Sequence, residues 1–184
     1  MFIAIVLLST HSISAFGTIG HWLSGRIAQE FLTSDGLDLV KALLPEYRGE
    51  LRTAATWADG LTSITTEIKR FSSYRWASPL HFIDPSNDSP PATCGYFAGD
   101  GCVNDVCASG AIHNYTTRLM DPILSSTDKN EALKFLIHII GDLHQPLHVT
   151  GRDRGGTRAI VKFDKRSSSM HSVWDSLMFE VYCC

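Results

Sequence analysis

The chain has 184 residues, enough for one well-buried core and too few for two ordinary domains, so we expect a single domain. Its 16 Lys and Arg residues are outnumbered by 19 Asp and Glu residues, and the net charge of -3 argues against a broad basic surface for duplex DNA. If the substrate is a nucleic acid, bound metal must supply positive charge locally.

The first fifteen residues have the pattern of a secretory signal peptide. Residues 2–8 form an apolar run, and polar residues and then the small Ala15 follow it. The run is too short to span a bilayer. The alternative is a first core helix, which the Ser- and Thr-rich stretch after the run disfavours. We therefore expect a signal peptide at residues 1–15, a mature domain at residues 16–184 and a secreted, extracellular protein.

Two further patterns agree with secretion. Asn114 begins an Asn-Tyr-Thr sequon, which predicts glycosylation in a luminal compartment. The chain has five cysteines, and Cys102 and Cys107 have the spacing of a short disulfide loop. The odd number of cysteines leaves one thiol without an assigned role.

Hydrophobic periodicity predicts a mainly α fold. Helices are predicted over residues 20–32, 37–44, 51–61, 108–119 and 130–143. The segment 84–101 is rich in Pro and Gly and predicts a long loop, while residues 159–163 are the one predicted strand, an arm of a hairpin. The helix over 130–143 has a capping box predicted at Asp128 and Glu131. Because it is apolar on all sides, we expect it to be buried.

Two His-x-x-x-Asp pairs lie in the second half of the chain. Residues four apart on a helix project from one face, so His138 with Asp142 and His171 with Asp175 can each hold one ion. Zinc accepts the neutral imidazole nitrogens and carboxylate oxygens that these residues offer. The alternative for His138 and Asp142 is a buried hydrogen-bonded pair.

Four further residues are candidate ligands of the same kind, namely His21, Asp59, His81 and His148. Taken singly, each has an ordinary explanation: His21 could cap a helix, Asp59 could close a turn and His81 could be half-buried. Eight candidate ligands in one small domain nevertheless favour a multinuclear zinc site.

Five strings carry a resemblance to a known family. They are FGTIGH at residues 16–21, WAD at 57–59, PLHFID at 79–84, FLIHIIGDLHQPLH at 135–148 and HSVWD at 171–175. In order, spacing and flanking residues they resemble the S1/P1 nucleases, the secreted trinuclear-zinc nucleases of fungi and plants. The resemblance implies a single-domain, mainly α fold of the phospholipase C and S1/P1 nuclease type with a small β-hairpin.

The resemblance also implies a cofactor of three Zn2+ ions at the bottom of a cleft. The implied ligand sets are Asp59, His81, His138 and Asp142 for one ion; His148, His171 and Asp175 for a second; and His21, Asp142 and the backbone nitrogen and oxygen of Phe16 for the third. The amine of Phe16 is free only after cleavage between Ala15 and Phe16, so removal of the signal peptide would complete the site.

The implied activity is hydrolysis of RNA and single-stranded DNA to 5′-phosphate products, with removal of 3′-phosphates from nucleotides. Metal ions would provide a hydroxide nucleophile and stabilise the transition state, and Asp59 is the candidate catalytic carboxylate. Phe82 and Asp84 occupy the positions that stack on a base and hydrogen-bond to it, although Phe82 could be core packing and Asp84 a loop cap. We expect a monomer with no stable protein partner and no membrane anchor.

The chain departs from the family pattern at several positions. Thr62 stands where the family has a phosphate-binding Arg or Lys, and Thr157 replaces the Asn of a Gly-Gly-Asn string. Lys69, Arg70 or Arg75 could supply the missing charge, and Cys183 or Cys184 could pair with Cys94. We also expect a domain that is truncated at its C-terminus.

Three functions therefore remain open. The first is a secreted zinc endonuclease and 3′-nucleotidase for single strands. The second is a zinc phospholipase C acting on lipid phosphodiesters, and the third is an inactive, truncated paralogue that binds zinc.

Overall fold

A computed structural model describes residues 16–62, 74–85 and 99–182. The predicted signal peptide, Lys69, Arg70, Cys94 and the two final cysteines lie outside these residues, as does most of the predicted 84–101 loop. Within the described residues, no helix combines the length and the apolar character that crossing a bilayer requires. The predicted mainly α fold with a small β-hairpin is confirmed.

Most of the described residues lie in helices or helical turns. The α-helices are α1 Thr18–Glu30, α2 Ser34–Leu43, α3 Leu51–Ala54, α4 Trp57–Thr62, α5 Ala108–Met120, α6 Ser126–Leu143, α7 Met170–Ser172 and α8 Met178–Tyr182. Four 3-10 turns, Pro45–Tyr47, Arg75–His81, Val103–Asp105 and Pro146–Val149, lie between them, and a π-helical turn at Val173–Leu177 joins α7 to α8.

Helix α6 is the central element, and it begins earlier than its sequence pattern predicts. The predicted capping box at Asp128 and Glu131 is wrong, because the N-cap is Ser125, whose hydroxyl accepts a hydrogen bond from the backbone N–H of Asp128. The helix packs against α1, α4 and α5. As its all-round apolar character predicts, most of its residues from Ala132 onward are buried.

Two apolar clusters flank α6. On one side Phe135, which is fully buried, stacks on Tyr115 of α5 with ring centroids 4.8 Å apart. On the other side Ile137 packs with Val40 and Leu44, which close the core under α2. Burial of side chains of this size contributes about 1.5–3 kcal/mol each, so the two clusters fix α6 and the polar residues it carries.

The helix predicted over 51–61 is broken in two. Helix α3 ends at Ala54, and α4 starts at Trp57 after a turn at Ala55 and Thr56. The break leaves the Ala55 carbonyl available to the side chain of His138, whose Nδ1 lies 2.6 Å from it. The break between α3 and α4 therefore helps to orient the His138 side chain of α6.

The predicted strand is present as β1, Ile160–Phe163, and it pairs antiparallel with β2, Arg166–Ser169. The turn between them uses Asp164 and Lys165 with φ of 44° and 64°, as a two-residue hairpin requires. The sequence did not predict β2, because its Arg-Ser-Ser-Ser string lacks apolar alternation. The hairpin leads directly into α7, which carries His171.

Two other predicted features lie on or beside α5. A disulfide joins Cys102 and Cys107, as predicted, and it closes the turn before the helix. Asn114 is exposed on the same helix, so the sequon is accessible. Its glycosylation remains a prediction.

Candidate metal centre

Three groups of His and Asp side chains bring their ligand atoms together. We name them the Asp59 group (Asp59, His81, His138), the Asp175 group (His148, His171, Asp175) and the His21 group (His21, His138, Asp142). Within each group the donor atoms all lie within 4.8 Å of one another. The structure therefore brings together all eight side chains that the sequence singles out as ligands.

Asp142 lies at the centre of the arrangement. It follows His138 by one turn of α6, and both side chains are completely buried. Its Oδ2 is 2.9 Å from His81 Nδ1 and 3.2 Å from His138 Nε2, while its Oδ1 is 3.3 Å from His21 Nε2 and 3.5 Å from His148 Nδ1. One carboxylate thus touches four imidazoles from different segments, as expected of a bridging ligand.

The Asp59 group joins α4 and the 3-10 turn before Phe82 to α6. His81 Nδ1 lies 3.0 Å from His138 Nε2, and Asp59 Oδ1 lies 3.5 Å from the same nitrogen. The Asp59 side chain is 19% exposed, whereas Asp142 is 0% exposed. Of the two carboxylates near His138 Nε2, Asp59 is therefore the one that reaches solvent.

The Asp175 group is assembled by the 3-10 turn after α6 and by the last helical segment. His171 Nε2 is 2.9 Å from Asp175 Oδ2, and His148 Nε2 is 3.6 Å from Oδ1. Burial raises the pKa of Asp175, but the neighbouring imidazoles of His148 and His171 outweigh this effect and lower that pKa. Gln145, which sequence reasoning did not single out, donates its Nε2–H to Asp175 Oδ1 at 2.6 Å.

The His21 group lies under the chain segment that starts at Phe16. The His21 ring stacks on the His138 ring with centroids 3.8 Å apart, and helix α1 packs on α6 at this point. The backbone N–H of Phe16 donates to Asp142 Oδ1 at 3.2 Å. The backbone nitrogen of Phe16 therefore lies next to Asp142, one of the residues with which it is predicted to bind the third zinc ion.

The hydrogen bonds of the histidines fix which nitrogen faces inward. The Nδ1–H groups of His138, His148 and His171 donate to backbone carbonyls, those of Ala55, His81 and Gly155, at 2.6, 3.0 and 2.7 Å. In the neutral ring this places the lone pair on Nε2, which points into the cluster. Histidines that bind metals are oriented in the same way.

Several of the inward-facing nitrogens lack a partner in the protein. Among the described residues, both ring nitrogens of His21 and the Nε2 atoms of His81 and His148 are buried without a hydrogen bond. Such atoms are costly unless something absent from the polypeptide satisfies them. Together with the mixed nitrogen and oxygen donor set, they fit zinc.

Burial and charge oppose each other within the cluster. Burial raises the pKa of Asp142, but the charge of His138 and hydrogen bonds from neighbouring imidazoles hold it well below its usual value. Burial likewise disfavours protonation of His138, yet Asp142 and Asp59 raise its pKa to about 9. Burial and the nearby His138 lower the pKa of His21. A metal ion bound through His138 would therefore have to compete with a proton there.

A cavity of about 210 Å³ opens beside these groups. It is lined by four of the candidate ligands, Asp59, His81, His148 and His171. The residues predicted to contact substrate are there as well: Phe82 is half-buried and Asp84 is exposed, and both line the same cavity. Backbone bonds from Ile83 N–H to the His148 carbonyl and from Ala108 N–H to the Phe82 carbonyl hold this segment in place.

The cavity also contains a residue that sequence reasoning missed. Arg154 lines the wall next to Gly155 and His171. The available signal was its position directly before the Gly155-Gly156 pair, which lies within the resemblance. His113 and His144, which we did not assign to the site, are exposed.

Comparison with known proteins gives a consistent answer. Residues 16–183 match the family model described as S1/P1 Nuclease. Endonuclease 3 of Arabidopsis thaliana is 37% identical over 191 residues, covering 98% of this chain and 61% of that protein. Nuclease P1 of Penicillium citrinum is 35% identical over 164 residues, covering 89% of this chain and 58% of that protein.

A third relative, Nuclease S1 of Aspergillus oryzae, is 37% identical over 166 residues, covering 90% of this chain and 55% of that protein. The chain thus spans about three fifths of the length of these curated relatives. The family match covers the segments that carry the three ligand groups. The chain belongs to the S1/P1 nuclease family.

Proposed function

We propose that the protein is a secreted zinc-dependent nuclease that hydrolyses single-stranded DNA and RNA to 5′-phosphate products and removes 3′-phosphates from nucleotides. One observation carries the proposal: the Asp59 group and the Asp175 group line a cavity whose wall also holds Phe82 and Asp84, and the His21 group adjoins them through His138, which it shares with the Asp59 group. The three groups would hold three zinc ions, and Asp142, which lies beside four imidazoles, would be a ligand of two of these ions. The backbone of Phe16 would complete the His21 group after signal cleavage.

Bound zinc would supply positive charge to the phosphate and lower the pKa of the water that attacks it. The chain contributes the position of that water. Asp59 is suited to this role because its carboxylate is part of the cluster and yet faces the cavity. By accepting a hydrogen bond from the water, it would direct the oxygen at phosphorus. As the new bond from that oxygen to phosphorus forms, the bond from phosphorus to the 3′-oxygen breaks; the water loses a proton, and the leaving 3′-oxygen takes up a proton from solvent.

Phe82 and Asp84 account for a preference for single strands. A base must leave its stack to lie against the Phe82 ring, and stacking on an aromatic ring contributes about 1–3 kcal/mol per base. The Asp84 carboxylate can accept hydrogen bonds from a base N–H group. A duplex cannot present a base in this way without losing pairing and stacking.

A variant pair tests the proposal. Mature protein that begins at Phe16 should contain close to three zinc ions per chain and digest single-stranded DNA. His138→Ala removes a ligand shared by two groups, so activity should be abolished and zinc content should fall with it. His113→Ala is the matched control, because His113 is exposed on α5, outside the cavity lining.

The alternatives predict different results in the same assays. A zinc phospholipase C would release phosphocholine from phosphatidylcholine vesicles and leave oligonucleotides intact. An inactive paralogue would retain full zinc and hydrolyse neither substrate. Either result would overturn the proposed nuclease activity.

A further inference from the structure

The wall of the cavity carries one permanently charged cation among the described residues. The lining residues are Asp59, Ser78, His81, Phe82, Asp84, Leu147, His148, Gly151, Arg154, Gly155 and His171. Arg154 is the member of this set whose charge does not depend on pH or on metal. Its side chain is exposed at the wall, so a ligand in the cavity can reach it.

The backbone around Arg154 is held in an uncommon conformation. Asp153 and Arg154 have φ of 51° and 55°, and Gly155 and Gly156 continue the left-handed turn with 59° and 74°. A non-glycine residue in this region costs roughly 1 kcal/mol or more, so the surrounding structure must enforce it. Residues held in this way cluster at functional sites.

Specific hydrogen bonds enforce the turn. The N–H of Gly156 donates to the Arg152 carbonyl at 2.9 Å, and the N–H of Arg158 donates to the Asp153 carbonyl at 3.0 Å. The Thr157 hydroxyl donates to the Arg154 carbonyl at 2.8 Å. Thr157 replaces the Asn of the family string, and here it stabilises the turn that presents Arg154.

The turn is also tied to the metal centre. The carbonyl of Gly155 accepts the Nδ1–H of His171 at 2.7 Å. A side chain at Gly155 would lie 2.8 Å from the Leu147 carbonyl, so the chain passes too close to its neighbour for any other residue. Arg154 is therefore fixed one residue away from a contact that orients a ligand of the Asp175 group.

No carboxylate of the described residues forms an ion pair with Arg154. Ion pairs of arginine within residues 16–62, 74–85 and 99–182 join Arg26 to Glu30 and Arg118 to Asp128, and none of them includes Arg154. A guanidinium beside a cavity with no carboxylate partner is available to bind an anion. Its fork of N–H donors matches two oxygens of a phosphate.

We propose that Arg154 binds a backbone phosphate of the nucleic acid beside the metal centre, and so supplies the cation that Thr62 cannot. The inference rests on the proposed nuclease function and adds a substrate contact to it. Arg154 is a binding residue that holds the strand against the cavity. A guanidinium in this position also favours an anionic polymer over a neutral ligand.

Binding of a phosphorothioate hexathymidylate to the zinc-loaded protein tests this contact without hydrolysis. For single strands, each neutralised phosphate contributes about 0.7 to the slope of log affinity against log salt concentration. Anisotropy titrations between about 50 and 200 mM salt should give R154Q a slope shallower by about 0.7. Its affinity at the lower salt concentration should be about tenfold weaker.

Two further variants interpret that result. R152Q removes the same charge from an exposed arginine two residues away that does not line the cavity, and it should leave slope and affinity unchanged. R154K keeps the positive charge but lacks the paired N–H donors of the guanidinium. Its salt slope should equal that of the unsubstituted protein, and its affinity should lie between those of the unsubstituted protein and R154Q. Zinc content and thermal midpoint should be the same in all three variants.

Three results would overturn the inference. They are an R154Q slope equal to that of the unsubstituted protein, an equal loss in R152Q, and a loss of zinc in R154Q that R154K does not restore. The first would leave the nuclease proposal intact. If the unsubstituted zinc-loaded protein binds no oligonucleotide at either salt concentration, the proposed nuclease function fails together with the inference.

Discussion

Gln145→Leu tests whether the hydrogen bond from Gln145 to Asp175 strengthens zinc binding by the Asp175 group. Gln145 is 1% exposed, and its Nε2–H reaches Asp175 Oδ1 at 2.6 Å while its Oε1 accepts the N–H of Leu147 at 2.6 Å. Leu has a similar volume but makes neither bond. A hydrogen bond to a charged group contributes about 1.5–3 kcal/mol, and loss of such a contact behind a metal ligand weakens metal affinity by about 10–100-fold.

The assay is a competitive zinc titration against a chromophoric chelator, together with urea unfolding of the metal-free protein. We expect one of three bound zinc ions to be lost at chelator concentrations that leave the unsubstituted protein fully loaded. The free energy of unfolding should fall by about 1–3 kcal/mol, because a buried donor and a buried acceptor lose their partners.

The matched control is Gln29→Leu. Gln29 also makes one donated and one accepted hydrogen bond, but both are to backbone groups: it donates to the Gly49 carbonyl at 3.2 Å and accepts from the Leu51 N–H at 2.9 Å. It belongs to none of the ligand groups. This variant should lose stability and keep its zinc affinity. Equal zinc affinity in Gln145→Leu and the unsubstituted protein would refute the reasoning.

Three further predictions concern the core and the cavity wall. Phe135→Ala should cost about 3–5 kcal/mol in urea unfolding of zinc-loaded protein, because the ring is fully buried against Tyr115; a cost under about 1 kcal/mol would contradict the packing. Gly155→Ala places a methyl group 2.8 Å from the Leu147 carbonyl and should reduce both stability and zinc retention; unchanged zinc content would contradict the tie to His171. Phe82→Ala should raise KM for single strands more than it lowers kcat, and an unchanged KM would count against base stacking.

Side-chain chemistry and helical spacing made much of the site predictable. His138 and Asp142 lie one turn apart on a helix whose apolar surface requires burial, so a buried pair that faces one way follows from the sequence. The same spacing places His171 and Asp175 together, although a π-helical turn rather than a regular α-helix carries Asp175. Phe82 and Asp84 were predictable only because they follow His81 within a string that resembles the family.

Other features depend on tertiary contacts that no local pattern encodes. The Ala55 carbonyl orients His138 only because the helix predicted over 51–61 breaks. Gln145 donates a hydrogen bond to Asp175, which lies 30 residues further along the chain, and the sequence around Gln145 does not predict this contact. Arg154 escaped prediction because its place at the cavity depends on a left-handed turn, whereas an arginine in a surface loop is itself ordinary.

The central claim is that the donors of the three ligand groups hold three zinc ions. Anomalous diffraction at the zinc absorption edge, from crystals of the zinc-loaded mature protein, tests it directly. We predict three peaks, each about 2.0–2.2 Å from imidazole nitrogens and carboxylate oxygens of the three groups, with Asp142 shared between them. Peaks at surface histidines such as His113 or His144, with none at Asp142, would contradict it.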